Sequence, residues 1–123
     1  MSAGKKFSLR NRIRSFGYAF RGLGILFFHQ HNAWIHLVAA AVAVFLGFFL
    51  KITVTEWLFV VAAIGFVLSA EAFNTAIEQL VDRVSPEKNP EAGRIKDIGA
   101  GAVLLAAATA LVIGLVIFLP KIF

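Results

Sequence analysis

Three long runs of apolar residues follow one another along the chain, and short polar segments separate them. The runs extend from Ile35 to Ile52, from Trp57 to Val84 and from Ile98 to Leu119. A helix rises about 1.5 Å per residue, so about 20 residues cross the hydrocarbon core of a bilayer. The pattern therefore predicts three transmembrane helices. They span about residues 33–52, 54–84 and 90–119.

Capping residues mark the ends of the second and third predicted spans. Thr53 is followed three residues later by Glu56, which is the pattern of a capping box at a helix start. Pro86 disfavours helical geometry at the residue before it, so this helix should end at about Val84. Asn89 precedes a proline, an arrangement typical of an N-cap and first helical residue. Both later helices are thus expected to project beyond the bilayer on the same side.

The region before the first span, about residues 8–30, has the pattern of an amphipathic helix. Its apolar residues fall within about 80° of one another at helical pitch; they are Leu9, Ile13, Phe16, Phe20, Leu23 and Phe27. Its arginines cluster on another face, at Arg10, Arg14 and Arg21. Such a helix lies in the membrane interface. The pattern leaves two roles open for the arginines, contact with lipid head groups or the basic wall of an anion site.

Composition supports a membrane protein and limits its size. The 123 residues are 59% hydrophobic and only 15% charged, and the mean hydropathy is +0.82, which is outside the balance of soluble domains. We interpret residues 1–123 as one small all-α membrane domain. A chain of 13.4 kDa has little room for a nucleotide-sized pocket, so we expect such a site to be shared between subunits of a homo-oligomer. Membrane-facing charge explains the basic character, and no nucleic-acid-binding module is visible.

The distribution of basic residues predicts the orientation in the membrane. Six basic residues precede the first span, at Lys5, Lys6, Arg10, Arg12, Arg14 and Arg21. No acidic residue occurs before Glu56, and the connection between the first two spans offers only Lys51. Because positive charge is enriched on the cytoplasmic side, we expect a multi-pass protein of the plasma (inner) membrane with its N-terminus in the cytoplasm.

Four polar side chains occur at helical spacing near the end of the second span. They are Glu71, Asn74, Glu78 and Asp82, and a helix would carry them within about 80° of one another. Ionisable groups in a membrane segment are costly and usually mark a functional site. We call these four residues the polar stripe. The competing explanation is structural: polar groups can bind helices together, and Asp82 near Lys96 could form an ordinary ion pair.

Depth assigns different chemistry to the members of the polar stripe. Glu71 lies about 21 Å along the helix from Trp57, in the inner half of the bilayer, where a carboxylate could accept a proton. Glu78 and Asp82 lie closer to the cytoplasm and are better placed to hold Mg²⁺, with Asn74 between them as both donor and acceptor. A deep base, a cation site and a basic cytoplasmic edge together fit phosphoryl transfer to a membrane alcohol. An ion-conducting ring of carboxylates explains the stripe but not the basic loop.

Three segments carry a resemblance to a known family. EAFNTAIEQLVD at residues 71–82, GRIKD at residues 93–97 and GAVLL at residues 101–105 closely resemble the signature of the small prokaryotic membrane diacylglycerol kinases. The likeness extends from Gly17 to Lys121. Asn32 with the following Ile-His-Leu, and the Phe-Leu-Pro-Lys near the C-terminus, are more similar to the Gram-positive undecaprenol kinase branch.

The resemblance implies an activity, an assembly and a set of site residues. It implies a homotrimer of three-span subunits with an amphipathic surface helix, and active sites shared between subunits. ATP with Mg²⁺ would be the phosphoryl donor, and a membrane lipid alcohol, undecaprenol or diacylglycerol, the acceptor. Glu71 corresponds to the general base and Glu78 to a metal carboxylate. The residues implied to bind the nucleotide and its metal are Tyr18, Asn74, Glu78, Asp82, Lys96 and Asp97.

One position departs from the family pattern. Relatives place a second metal carboxylate, a glutamate, where this chain has Gln30. A glutamine offers a carbonyl oxygen to Mg²⁺ but not a charge, so the resemblance predicts weaker metal binding there. This difference leaves an alternative to an active kinase: a degenerate, weakly active or inactive kinase-like protein that acts as a lipid-binding or assembly partner.

Overall fold

The computed structural model describes residues 6–123, which form α-helices joined by short turns. The four helices in this part of the chain are α1 (Leu9–His29), α2 (His31–Phe49), α3 (Val54–Val84) and α4 (Pro90–Ile122). The last three are long and apolar enough to cross a membrane. The all-α architecture with three apolar spans that the sequence predicts is therefore confirmed. Lys5, part of the predicted basic segment, lies outside the described residues.

The predicted caps are present at the starts of both long helices, α3 and α4. The Thr53 hydroxyl accepts from the Glu56 N–H at 3.2 Å, and the Glu56 carboxylate accepts from the Thr53 N–H at 2.9 Å. The Asn89 side chain accepts from the Ala92 N–H at 2.8 Å at the start of α4. With 31 residues, α3 is about 46 Å long and exceeds the roughly 30 Å of a hydrocarbon core.

The turn between α2 and α3 ends the first span earlier than the sequence predicts. α2 stops at Phe49 instead of about residue 52, because Lys51 adopts a left-handed backbone with φ 53°. The Ile52 N–H then returns to the Gly47 carbonyl at 3.1 Å and the Lys51 N–H to the Phe48 carbonyl at 3.4 Å. This pair of bonds is a Schellman motif, which satisfies the last carbonyls of α2.

Three other helix ends differ from the predicted ranges. Gln30, which the prediction placed at the end of α1, has an extended backbone (φ −119°, ψ 112°) and separates α1 from α2. One extended residue interrupts the helical hydrogen bonds, so α2 begins at His31 instead of residue 33. α4 continues to Ile122 through Pro120. A proline this close to a helix end removes one backbone bond without stopping the last turn, and the Phe123 N–H still reaches the Leu119 carbonyl at 3.0 Å.

α3 forms the centre of the packing and contacts each of the other helices, α4 most extensively. We call the turn at residues 50–53 the hairpin end and the connection at residues 85–89 the loop end. Apolar residues fill the core near the hairpin end; they are Ile52, Val60, Ile117 and Phe118. The buried side chains of α3 recur every three or four residues, at Val60, Ala63, Val67, Glu71 and Thr75. The core face of α3 therefore becomes polar towards the loop end.

Candidate functional site

Glu71 is the most buried member of the polar stripe. Only 1% of the residue is exposed, and it is the largest side chain that the described part of the chain buries completely. It continues the core face of α3, one turn beyond Val67. A carboxylate in such a place must find a partner or a proton, because burying an isolated charge is very unfavourable.

The nearest charged or ionisable partner of Glu71 comes from α2. Nε2 of His36 lies 3.1 Å from Oε1 of Glu71, which is ion-pair distance. The alignment is not that of a hydrogen bond, so Oε1 is buried without a hydrogen-bond donor among residues 6–123. His36 is not among the site residues predicted from the sequence. A signal was available, because His36 is a single ionisable residue inside an apolar run.

Asn74 and Glu78 form the next layer of the stripe. The Asn74 side-chain amide donates to Oε1 of Glu78 at 3.0 Å. Gly99 of α4 makes room for this arrangement, since a Cβ at that position would overlap Oδ1 of Asn74. Oδ1 itself is buried and has no hydrogen-bond donor in the described part of the chain. The contact orients Glu78 and leaves an acceptor oxygen facing α4.

Thr75 adds a third buried polar group that the sequence did not reveal. It is 5% exposed, and its hydroxyl oxygen has no hydrogen-bond partner within residues 6–123. It lies one turn after Glu71 on the core face of α3. A threonine among apolar residues gives no signal by itself, because its hydroxyl usually bonds to the preceding helical turn. The stretch of α3 from Glu71 to Thr75, little more than one turn, thus holds three buried oxygens that could meet donors from a bound molecule.

The loop end brings together two further residues of the predicted site, Asp82 and Lys96. Lys96 of α4 forms an ion pair with Asp82 of α3, while Asp97 is exposed. Asn89 fixes the connection by donating to the Ser85 hydroxyl at 2.6 Å and to the Glu87 carbonyl at 3.3 Å. A cavity of about 550 Å³ opens here. Its lining includes Asp82, Ser85, Glu87, Lys88, Asn89, Gly93 and Lys96.

Tyr18 and Gln30 belong to an earlier part of the chain, at and before the α1–α2 junction. Tyr18 is exposed on α1, and the Arg21 guanidinium lies 5.7 Å from the centre of its ring. Gln30 is half-buried between the two helices, and its side chain caps neither. No three His, Asp or Glu side chains between residues 6 and 123 are grouped closely enough to hold a metal ion by themselves.

An apolar groove of about 470 Å³ runs between α2, α3 and α4. Alanine, valine, leucine, isoleucine and phenylalanine form most of its wall, which extends from Phe118 and Ile122 at one end to His36 and Leu68 at the other. His36 is the polar side chain in this lining, and it is also the residue beside Glu71. The groove therefore runs from an apolar surface to His36, the residue that contacts the buried carboxylate.

Comparison with known proteins identifies the family. The model of the family described as "Prokaryotic diacylglycerol kinase" matches residues 17–118. The undecaprenol kinase of Bacillus subtilis (strain 168) is 37% identical over 113 residues, which is 92% of each chain. The diacylglycerol kinase of Escherichia coli (strain K12) is 30% identical over 100 residues, which covers 81% of this chain and 82% of that protein. The chain therefore belongs to the prokaryotic diacylglycerol kinase family.

Proposed function

We propose that this protein phosphorylates the hydroxyl group of a membrane lipid alcohol, with ATP as the donor. Its relatives from Bacillus subtilis and Escherichia coli are named for undecaprenol and diacylglycerol kinase activity. The observation that carries the proposal is the buried carboxylate of Glu71 where an apolar groove meets the polar stripe. None of these comparisons favours the alternative of a degenerate, inactive protein.

The acceptor enters from the membrane side in this proposal. An apolar chain lies along the groove and brings its terminal hydroxyl to Glu71, which acts as the general base. The hydroxyl oxygen attacks the γ-phosphorus of ATP while its proton passes to a carboxylate oxygen of Glu71. The bond between the γ-phosphorus and the β,γ-bridging oxygen breaks, and ADP leaves with that electron pair. The products are the lipid phosphate and ADP.

The nucleotide binds at the loop end in this proposal. Lys96 and the nearby Asp82 line the cavity there, and Asp97 follows on α4. An ion pair at a protein surface contributes little free energy. Lys96 can therefore exchange its contact with Asp82 for a contact with a phosphate oxygen. Tyr18 completes the nucleotide site from α1, where the Arg21 guanidinium adds positive charge.

The residues present fit a Mg²⁺ ion that arrives with ATP. Mg²⁺ commonly binds through one or two carboxylates together with substrate phosphates and water. Glu78 supplies one carboxylate, which the Asn74 amide orients at 3.0 Å. Gln30 would contribute only a neutral carbonyl oxygen. When bound, the ion neutralises charge on the phosphates.

Assembly and topology complete the proposal. We propose a homotrimer in which neighbouring subunits share each active site, because a chain of 13.4 kDa has little room for a nucleotide-sized pocket and the cavity at the loop end is open. α1 lies along the cytoplasmic surface as an amphipathic helix, and the N-terminus is cytoplasmic. The loop end then faces the cytoplasm, where ATP is available, in agreement with the depth order of the polar stripe.

The acceptor is best tested directly. Purified protein in lipid nanodiscs is incubated with γ-labelled ATP, Mg²⁺ and either undecaprenol or diacylglycerol, and label is followed into the lipid phase. We expect measurable lipid phosphate with both alcohols. We expect more of it with undecaprenol, because the identity to the Bacillus subtilis undecaprenol kinase is higher than that to the Escherichia coli diacylglycerol kinase. No label in any lipid from a correctly assembled protein would refute the proposed activity.

A further inference from the structure

His36 is an ionisable residue inside the apolar run of α2, and the proposed reaction assigns it no task. Its side chain is 22% exposed, and Nε2 lies 3.1 Å from Oε1 of Glu71. A polar group at membrane depth is retained only where protein, water or a ligand satisfies it. Within residues 6–123, the contact with Glu71 is the polar interaction that His36 makes.

In the described part of the chain, Glu71 in turn lacks a hydrogen-bond donor for one of its carboxylate oxygens. Its Oε1 atom is buried and receives no hydrogen bond within residues 6–123, and a buried acceptor without a donor is costly. The separation from Nε2 already lies within the range of about 2.7 to 3.2 Å that N–H···O bonds occupy. The last torsion of a histidine side chain is soft, so a rotation of the ring suffices to align an N–H with Oε1.

We propose that His36 is a positioning residue for Glu71: Nε2–H donates to Oε1, holds the carboxylate in place and leaves Oε2 for the acceptor hydroxyl. The inference rests on the proposed function for the role of Glu71 as base. It requires the tautomer with the proton on Nε2, because only that nitrogen faces the carboxylate. His36 also lines the apolar groove, so it holds the base at the point where the lipid head arrives.

The hydrogen bond is tested without any assay of activity. Protein labelled with ¹⁵N-histidine and reconstituted in bilayers is studied by NMR. We expect the ring-nitrogen signals of His36 to show a proton on Nε2 and no proton on Nδ1. In Glu71→Ala, we expect the Nε2 signal to shift. Glu78→Ala is the matched control, two turns away on the same helix, and should leave the signal in place. An Nε2 signal that does not respond to Glu71→Ala would overturn the inference.

The positioning role is tested by kinetics. His36→Leu removes the donor and keeps an apolar side chain; we expect kcat to fall about 100-fold, the effect of misplacing a reacting group by about 1 Å, with KM for ATP unchanged. His36→Gln retains an N–H donor and should restore most of kcat. His29→Leu is the control and should keep the wild-type kcat. His29 is exposed at the end of α1, where its ring lies 5.1 Å from the ring of Phe28.

The outcomes separate the two proposals. If His36→Leu retains the wild-type kcat, or if His36→Gln is as slow as His36→Leu, the positioning role is wrong while the kinase activity stands. If the wild-type protein phosphorylates no lipid, the proposed function is wrong, and the NMR result still decides whether Nε2 binds the carboxylate. If a variant does not assemble, the NMR experiment on the wild-type chain and Glu71→Ala decides.

Discussion

Gly99→Ala places a methyl group in the space that the Asn74 side chain occupies. The added Cβ would overlap Oδ1 of Asn74 and lie 3.4 Å from its Cγ. The clash is with the end of a side chain, and the Asn74 backbone is more distant, at 4.0 Å. We therefore expect Asn74 to rotate while α3 and α4 stay packed. This rotation breaks the 3.0 Å hydrogen bond from Asn74 to Glu78.

The size of the effect follows from the bond that is lost. A hydrogen bond to a charged group contributes about 1.5 to 3 kcal/mol, and the partial exposure of Asn74 and Glu78 favours the lower value. A change of about 1.4 kcal/mol is a factor of ten in affinity, so KM for ATP with Mg²⁺ should rise about tenfold. The free energy of unfolding should fall as well, because overpacking costs about 1 to 3 kcal/mol and the helix preference of alanine offsets only about 1 kcal/mol of this.

Gly101→Ala is the matched control on the same helix, since among the described residues the Cβ it adds meets nothing within 4 Å apart from the adjoining stretch of its own helix. KM for ATP is measured for both variants at several fixed Mg²⁺ concentrations, with thermal unfolding measured on the same samples. We expect Gly101→Ala to keep the wild-type KM and to be slightly more stable. If Gly99→Ala also keeps the wild-type KM, orientation of Glu78 by Asn74 is irrelevant to nucleotide binding, and the reasoning is refuted.

Two further substitutions test single features of the chain. Lys51→Gly should stabilise the protein by about 0.5 to 1 kcal/mol, because glycine adopts the left-handed backbone of residue 51 without the steric cost of an L side chain; a similar rise in melting temperature for Lys51→Ala would contradict this reason. Gln30→Glu should lower the Mg²⁺ concentration for half-maximal activity, since a carboxylate replaces a neutral carbonyl; an unchanged Mg²⁺ titration would place residue 30 away from the metal.

Local signals in the sequence predicted the course of α3 well. The Thr53 and Glu56 cap and the proline after Ser85 act on the backbone of their immediate neighbours, so their effect is readable without tertiary structure. Counting residues from Trp57 also predicts a position for Glu71 in the inner half of the bilayer. The resemblance across residues 71–105 then gave the family, which the comparisons confirm.

The features that the sequence did not reveal depend on contacts between helices. His36 and Glu71 are 35 positions apart and meet only because α2 and α3 pack together, and the space at Gly99 has meaning only beside Asn74. The ends of α2 were also misjudged, because the left-handed backbone at Lys51 and the extended one at Gln30 have no glycine or proline to mark them. Apolar composition defines a membrane span, but it does not define where helical hydrogen bonding ends.

The most direct test of the account is phosphoryl transfer by Glu71→Gln in a single turnover. The variant keeps the size of the side chain and removes its capacity to take a proton. With labelled ATP, Mg²⁺ and the preferred lipid alcohol, we expect the rate of lipid phosphate formation to fall by about 10² to 10⁴, while ATP binding, followed by equilibrium dialysis, stays at the wild-type level. A variant that transfers phosphate at the full rate would contradict the claim that Glu71 is the base.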